Sequence, residues 1–317
     1  MKKLYLMKNP ELFQGEEKLK KNKNYFEGWY FKNSINNKGI SFIPGININK
    51  RKKKAFIQVI TTDESYFIDY NISDFKFSHN PFYIKIGKNL FSKEKIHVDI
   101  TDKTKKLKIK GDIIYSDTKN IDTDKYPNIM GPFSYIPFME CNHAILCMKA
   151  KTEGKLTINN NKINFNNGIA YIEKDFGCSF PKSYIWCQGN NFKDNKNASL
   201  MLSIADIPFK IFNFRGLICS LIIEDKEYRF ATYNNSKIIR YKISDSSIDI
   251  TLQKGIYTLD VKSKYDRRLK LSAPIKGEMT KDILESINEE ITITLKKDDK
   301  IIFSDTSLNC GLEIVKQ

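Results

Sequence analysis

The sequence predicts an all-β protein built as two tandem antiparallel β-barrels, with one short helix near the C-terminus. Three observations carry that expectation: period-two runs fill most of the chain, tight turns separate them, and an aromatic tryptophan segment occurs twice, about half the chain apart. In the first half the runs include "AFIQVITT" (55–62), "YFIDYNI" (66–72), "KIHVDIT" (95–101) and "KLKIKGDIIYS" (106–116). In the second half they include "SLMLSIADI" (199–207), "CSLIIEDKEYRFATY" (219–233) and "SSIDITLQKGIYTLDVKS" (246–263). Asn160-Asn161, Asp225-Lys226, Lys254-Gly255 and Asp298-Asp299 supply residue types that accept hairpin-turn dihedrals. Many short strands joined this way make barrels or sandwiches, and 317 residues are enough for two. Trp29 in "YFEGWYF" and Trp186 in "SYIWCQGNNF" each suit a strand that opens a barrel. Between them, Gly177 and Pro181 in "FGCSFPK" break regular structure. The expected domains are therefore residues 1–178 and 179–317. One segment reads differently. "TKDILESINEE" (280–290) predicts a helix, capped by Thr280, with Ile283, Leu284 and Ile287 on one face.

The net charge is +16, from 53 basic and 37 acidic residues, which favours anionic partners. The lysines are spread along the whole chain, whereas a nucleic-acid binder clusters them, so no specific nucleic acid is expected. Peripheral contact with an anionic membrane surface stays open. The densest basic run, "KRKKK" (50–54), lies between apolar segments and reads as an exposed hairpin tip. No glycine-rich phosphate loop or dinucleotide fingerprint occurs, so no cofactor is expected. The six cysteines show no framework spacing, the apolar run Leu4–Met7 is cut off by Lys8, and no stretch approaches the ~20 apolar residues of a membrane span. A reduced, cytoplasmic, soluble protein is expected.

Polar residues inside apolar strands carry the functional reading, because burying them costs free energy unless each finds a partner. In "GPFSYIPFMECNHAILCM" (131–148), His143 is one of three histidines, and Glu140 precedes it by three residues. Strand alternation puts Cys141, His143 and Cys147 on one face. A zinc site would need a further ligand, and no other Cys/His pair stands at metal spacing, so no metal is expected. A buried histidine bonded to a carboxylate is the alternative to a functional one. In "AYIEKDFGCSFPKSYIWCQGNNF" (170–192), Glu173 and Asp175 share a face, with Lys174 on the other. Two nearby carboxylates raise one pKa, which suits a general acid; an interdomain ion-pair network through Lys174 is the competing reading. Trp186, Gln188 and Asn190 share a face, and Glu313 in "CGLEIV" is a further carboxylate in an apolar setting. In "NKNYFEGWYF" (22–31), Tyr25, Glu27, Trp29 and Phe31 share a face, with Phe26 and Tyr30 opposite around Gly28. Both faces are aromatic, as in a strand covered on both sides at a barrel–barrel junction. Gly28 would permit close backbone approach. Glu27 needs a partner, Lys174 or His143, and reads as an organiser of the site rather than its proton donor.

The segments "NPELFQG", "YFEGWYFK", "GPFSYIPFMECNHAI", "YIEKDFGCSFPKSYIWCQGNNF" and "APIKGEMTKDILESINEEITITL", with the closing "GLEI", resemble the tocopherol cyclase family, and its bacterial branch more than its plant enzymes. One departure is visible: Phe176 stands where the family has tryptophan. The resemblance implies a tandem pair of lipocalin-like barrels, in which the Gly-x-Trp strand opens the first. The plant activity closes a prenylated hydroquinone into a chromanol. Such chemistry needs an acid to protonate an alkene, π-faces beside the resulting cation, and a base for the phenol proton, in a water-poor pocket. Glu140, Glu173 and Asp175 are candidate acids, with His143 as partner or base. Trp29, Tyr30, Phe31 and Trp186 are candidate aromatic walls beside Phe176 and Lys174. Gln188 and Asn190 are candidates to orient a ligand oxygen. Glu27, His143, Glu173 and Asp175 are expected to approach one cleft between the barrels. The competing functions are a non-catalytic carrier of a hydrophobic small molecule, and a basic surface binder that the chain-wide charge distribution disfavours.

Overall fold

The computed structural model describes residues 2–50, 52–136, 139–209, 212–266 and 268–316. Two short helices, α1 (Lys2–Lys8) and α2 (Glu16–Lys21), precede the first strand. β1 (Tyr25–Ile35), β2 (Lys38–Ile48), β3 (Lys53–Thr61) and β4 (Ser65–Asn71) form one antiparallel meander. β5 (Phe75–His79), β6 (Phe82–Ile86), β7 (Asn89–Phe91), β8 (Lys95–Asp102), β9 (Leu107–Lys119) and β10 (Cys141–Ile158) form another. β11 (Asn161–Asn164) pairs with β10 alone, and β12 (Gly168–Gly177) joins the two meanders by lying between β10 and β1. The free ends of the sheet, β4 and β5, follow one another in the chain, so the sheet curls round into a nearly closed barrel.

The second sheet repeats the plan. β13 (Tyr184–Gly189), β15 (Ser199–Phe209), β16 (Phe212–Ile223) and β17 (Lys226–Ala231) run from its opening strand to one edge, and the short β14 (Asn191–Phe192) pairs with the last strand. β18 (Lys237–Ile243), β19 (Ser247–Lys254), β20 (Tyr257–Lys264), β21 (Leu269–Ile275), β22 (Glu278–Lys297) and β23 (Lys300–Val315) complete it. Here too the last strand, β23, pairs with the first, β13. β1 with Trp29 and β13 with Trp186 therefore hold equivalent places in their barrels. The first sheet ends at Gly177 and the second begins at Tyr184.

Turn chemistry accounts for several hairpins. Asn159 and Asn160, and Asp298 and Asp299, adopt paired left-handed dihedrals that match the strand twist. The basic run begins in the β2–β3 connection, where Lys50 and Lys52 are exposed, and continues into β3 with Lys53 and Lys54; Arg51 lies outside the described residues.

The predicted helix at 280–290 is instead the middle of β22. Ile283, Glu285, Ile287, Glu289, Ile291, Ile293 and Leu295 are buried at every second position, while Leu284 faces out. Ile283 and Ile287 satisfy a helical and a strand period alike. Pairing with β20, β21 and β23 settles the conformation, because tertiary context overrides local helix propensity.

Three buried clusters divide the apolar residues. One fills the first barrel and includes Trp29, Phe31, Phe42 and Phe91. One fills the second, with Leu202, Phe230 and Ile293. The third lies between the barrels and contains Tyr30, Tyr171, Tyr184 and Trp186. The β1 alternation explains the division: odd positions enter the first barrel, and even positions face the junction.

Candidate functional site

A cavity between the barrels offers about 170 Å³ to the centres of water-sized molecules. That is about ten times the space one water needs. Its walls are mainly apolar: Phe26, Ile43, Phe56, Met130, Leu217 and Ile283 line it, with Tyr30, Tyr184 and Trp186. Set among them are His143, Glu173, Asp175 and Glu313.

Strand register puts these groups there. Gly28 of β1, Asp175 of β12 and His143 of β10 form one cross-strand row; Tyr30, Glu173 and Ile145 form the next. From the second sheet, Trp186 of β13, Glu313 of β23 and Glu285 of β22 form a facing row. Gly28 contributes no side chain. A Cβ there would sit 3.5 Å from Ile43, an ordinary contact, so the glycine keeps the cavity open rather than admitting a close strand. The close approach falls on its partner Gly45, where a Cβ would lie 2.6 Å from the Glu27 carbonyl oxygen.

His143 links the two acids. Its Nδ1 is 3.0 Å from Asp175 Oδ1, and its Nε2 is 3.4 Å from Glu173 Oε2, in ion-pair contact but off the line of a hydrogen bond. Glu173 Oε2 also accepts hydrogen bonds from Tyr171 (2.5 Å) and from the Trp186 indole (3.1 Å). Burial alone would lower the imidazolium, but the charges of Asp175 and Glu173 outweigh it and raise His143 to about 9. Burial pushes the Glu173 carboxyl up to about 7, against the pull of His143. Glu313, which accepts a 2.7 Å bond from the Tyr184 hydroxyl, is likewise pushed to about 7 by burial. Around neutral pH the cavity thus holds an imidazolium beside a carboxyl that is partly protonated.

His143, Glu173 and Asp175 each offer a ligand atom within 4.8 Å of the others, a spacing that a metal ion tolerates. Their arrangement suits a proton better. Each imidazole nitrogen already faces a different carboxylate, so the protonated ring itself supplies the bridging positive charge. Cys147 is not part of this face. β10 carries a register shift between Ile145 and Cys147, which reverses the alternation and turns Cys147 into the first barrel's core.

Of the residues singled out in the sequence, Phe26, Gly28, Tyr30, Cys141, His143, Glu173, Asp175, Trp186 and Glu313 line the cavity. The others lie elsewhere. Glu140 is exposed at a strand entry, where its carbonyl accepts from Cys178, so it offers no buried acid. Trp29 and Phe31 point into the first barrel because they are odd positions of β1. Glu27 shares that inward face and is fully buried against Lys174, 2.5 Å away. Lys174 also donates to the carbonyls of Pro10 (2.8 Å) and Leu12 (2.6 Å), and its ammonium lies over Trp29 and Phe176. Tyr25 and the backbone of Gln14 donate to Glu27. The expected approach of Glu27 to the cleft therefore fails, and its pair with Lys174 pins residues 10–14 across the barrel instead. Phe176 packs in this assembly, outside the cavity, and keeps the apolar character of the tryptophan it replaces. Gln188 and Asn190 belong to the seam between barrels. Gln188 accepts from Lys32 (3.1 Å), and Asn190 donates to Ala170 (2.9 Å).

Glu285, Tyr171 and Tyr184 were not singled out in the sequence. Glu285 was hidden by the helical reading. Read as a strand, "ILESI" puts it on the same face as Ile283 and Ile287, a polar residue in an apolar row.

The fold and site define a tandem antiparallel β-barrel protein with an acid cluster in the cavity that both barrels share. A family model described as tocopherol cyclase-like matches residues 106–315. The chain belongs to that family. Among solved structures, CghA with Sch210972 superposes with a TM-score of 0.61 at 7% identity, over 92% of this chain and 88% of that one. A structure of CghA alone gives 0.58 at 7% identity, over 92% and 88%. A candidate AttH protein from Nitrosomonas europaea gives 0.54 at 11% identity, over 92% and 93%. At these identities the likeness is one of fold. No curated protein sequence matches the chain.

Proposed function

We propose that the protein is an acid–base catalyst that cyclises, isomerises or hydrates a hydrophobic, alkene-bearing small molecule held between its barrels. The observation that carries this reading is Glu173, a carboxyl raised to about 7 beside an imidazolium, in an aromatic-lined cavity. A general acid works best with a pKa near the working pH. The family supports the same chemistry.

In the productive step, the Glu173 O–H bond breaks and its proton forms a C–H bond with one alkene carbon. The π-bond breaks, leaving a cation on the other carbon. Trp186 and Tyr30, with ring centroids 5.6 Å apart, offer π-faces to that cation. Attack by an internal hydroxyl gives cyclisation, loss of a neighbouring proton gives isomerisation, and attack by water gives hydration. In each case one proton returns to a carboxylate, and the charge balances. His143 holds Glu173 and Asp175 in register and passes the proton between them. A simple carrier would gain nothing from burying these groups, since each costs free energy that apolar contacts would not.

The test begins with protein isolated from its own source and extracted for apolar ligand. Wild type is expected to convert that ligand. Glu173→Gln is expected to bind it and to turn it over about 10²–10⁴ times more slowly. Ligand bound but left unchanged by both proteins would make the protein a carrier.

A further inference from the structure

Glu285 and Glu313 are direct cross-strand partners on β22 and β23, at the centre of the barrel junction. Glu285 is wholly buried, and its Oε1 accepts a 2.6 Å bond from the Tyr30 hydroxyl. Its Oε2 is buried without a hydrogen-bond partner among the described residues. Glu313 lines the cavity and accepts from Tyr184. The two carboxyls lie within hydrogen-bonding reach of each other; in a dry setting both cannot carry charge, and a proton between them satisfies the orphaned oxygen.

We infer that Glu313 and Glu285 share one proton, and that this dyad is a second proton-exchange station of the cavity, opposite His143, Glu173 and Asp175. The exchange with ligand rests on the proposed function; the shared proton does not. Glu313 is the catalytic member because it reaches the cavity. Glu285 is a positioning residue that acts through Glu313 and Tyr30.

The topology makes the two stations counterparts. β12 and β23 are the last strands of their barrels, and each pairs with its barrel's first strand. Glu173 and Asp175 leave the one, and Glu313 leaves the other, towards the same space. Trp186 stands between them: its indole donates to Glu173, and its backbone is the cross-strand neighbour of Glu313. A cavity with a donor on one wall and an acceptor on the other can release a proton to one ligand atom and take one from another. In a cyclisation the Glu173 O–H and the ligand π-bond break, a C–H and a C–O bond form, and the ligand O–H bond breaks as its proton passes to Glu313. Glu313 then gives up that proton and Glu173 takes one from solvent, so no net proton is consumed.

The groups that face the dyad decide its titration. Tyr184 and Tyr30 donate to it; Asp175 and Glu173 repel its ionised form; His143 attracts it. Lys32, buried on β1, adds a positive charge near Glu285.

The test is a pH titration of the ¹³C-labelled glutamate carboxyls in the whole protein, with assignments from Glu285→Gln and Glu313→Gln. In wild type the two signals are expected to move together, with one proton retained at neutral pH. In Glu285→Gln the amide can still bond Tyr30 but has no O–H to give to Glu313, so Glu313 is expected to titrate alone in one step, with its midpoint moved to higher pH. Two wild-type signals that titrate independently in the ordinary carboxylate range would overturn the dyad, without need of any variant. With the source-derived ligand, Glu285→Gln is expected to shift the pH profile of turnover by the same amount as the Glu313 midpoint. An unshifted profile would overturn the exchange role. Absence of turnover in wild type, with the titration as expected, would instead tell against the proposed function.

Discussion

His143 serves two carboxylates with one ring, Asp175 through Nδ1 and Glu173 through Nε2. His143→Gln leaves Glu173 without its cation, so the carboxyl is expected to titrate above its present value of about 7. Carboxyl titration by NMR reads this; a fall or no change would contradict the geometry. Gly28 makes a steric prediction. A Cβ fits at this position, but a Leu side chain would extend into the cavity. Gly28→Leu is expected to weaken ligand binding at least tenfold while its stability stays within about 1–3 kcal/mol of wild type. Isothermal titration with the extracted ligand, beside a thermal melt, checks both halves. Trp186 is equally constrained: a Cβ on Gly311 would lie 2.6 Å from its ring.

At the scale of elements, β1 is legible in the sequence almost whole. Its alternation correctly separates Tyr25, Glu27, Trp29 and Phe31 from Phe26 and Tyr30. What no alternation reveals is which face lines the cavity, because both are aromatic and both are buried. The expectation that Glu27 approaches the cleft rests on its aromatic-rich motif, which does not distinguish the faces; its pair with Lys174 lies in the barrel instead. β10 hid a second fact, since its register shift exchanges faces after Ile145 and no residue type announces it. β22 hid Glu285, because "DILESINEE" fits a helical period as well as a strand's. The buried pair of Glu27 and Lys174 carries its own prediction. Glu27→Gln is expected to cost roughly 3–5 kcal/mol by leaving Lys174 buried and uncompensated, and adding Lys174→Met is expected to recover much of that. Lys174→Met also frees the carbonyls of Pro10 and Leu12, so cleavage within residues 2–21 by limited proteolysis is expected to accelerate in the double variant. Equal losses in single and double variants would contradict the pairing.

For the whole molecule, the junction sets the pH response. Glu173 and Glu313 sit at about 7 when folded against an ordinary 4.5, and His143 at about 9 against 6.5. All three are raised, so the folded chain binds more protons than the unfolded chain across these windows. Stability then falls as pH rises, from about 4.5 to 7 for the carboxyls and from about 6.5 to 9 for the imidazole. Lys32 and Lys149, lowered to about 8 by burial, act in the opposite sense above that value. The melting temperature is therefore expected to fall between pH 5 and 8, and the upper part of that slope is expected to flatten in His143→Gln. A wild-type melting temperature that rises over this range would contradict the assignment. The tandem barrels themselves followed from strand period and turn residues, because these act locally. The cleft between the barrels is expected from the sequence with His143, Glu173 and Asp175, which line it, but its full lining exists only where two finished barrels meet.

The claim that the junction delivers a proton to carbon is tested most directly by turnover in heavy water. Wild type incubated in D₂O with the apolar ligand extracted from its own source is expected to yield product carrying one deuterium that does not wash out on return to H₂O. Glu173→Gln, bound to the same ligand, is expected to yield none on that timescale. Ligand recovered from wild type with no deuterium on carbon and no change of structure would contradict the account.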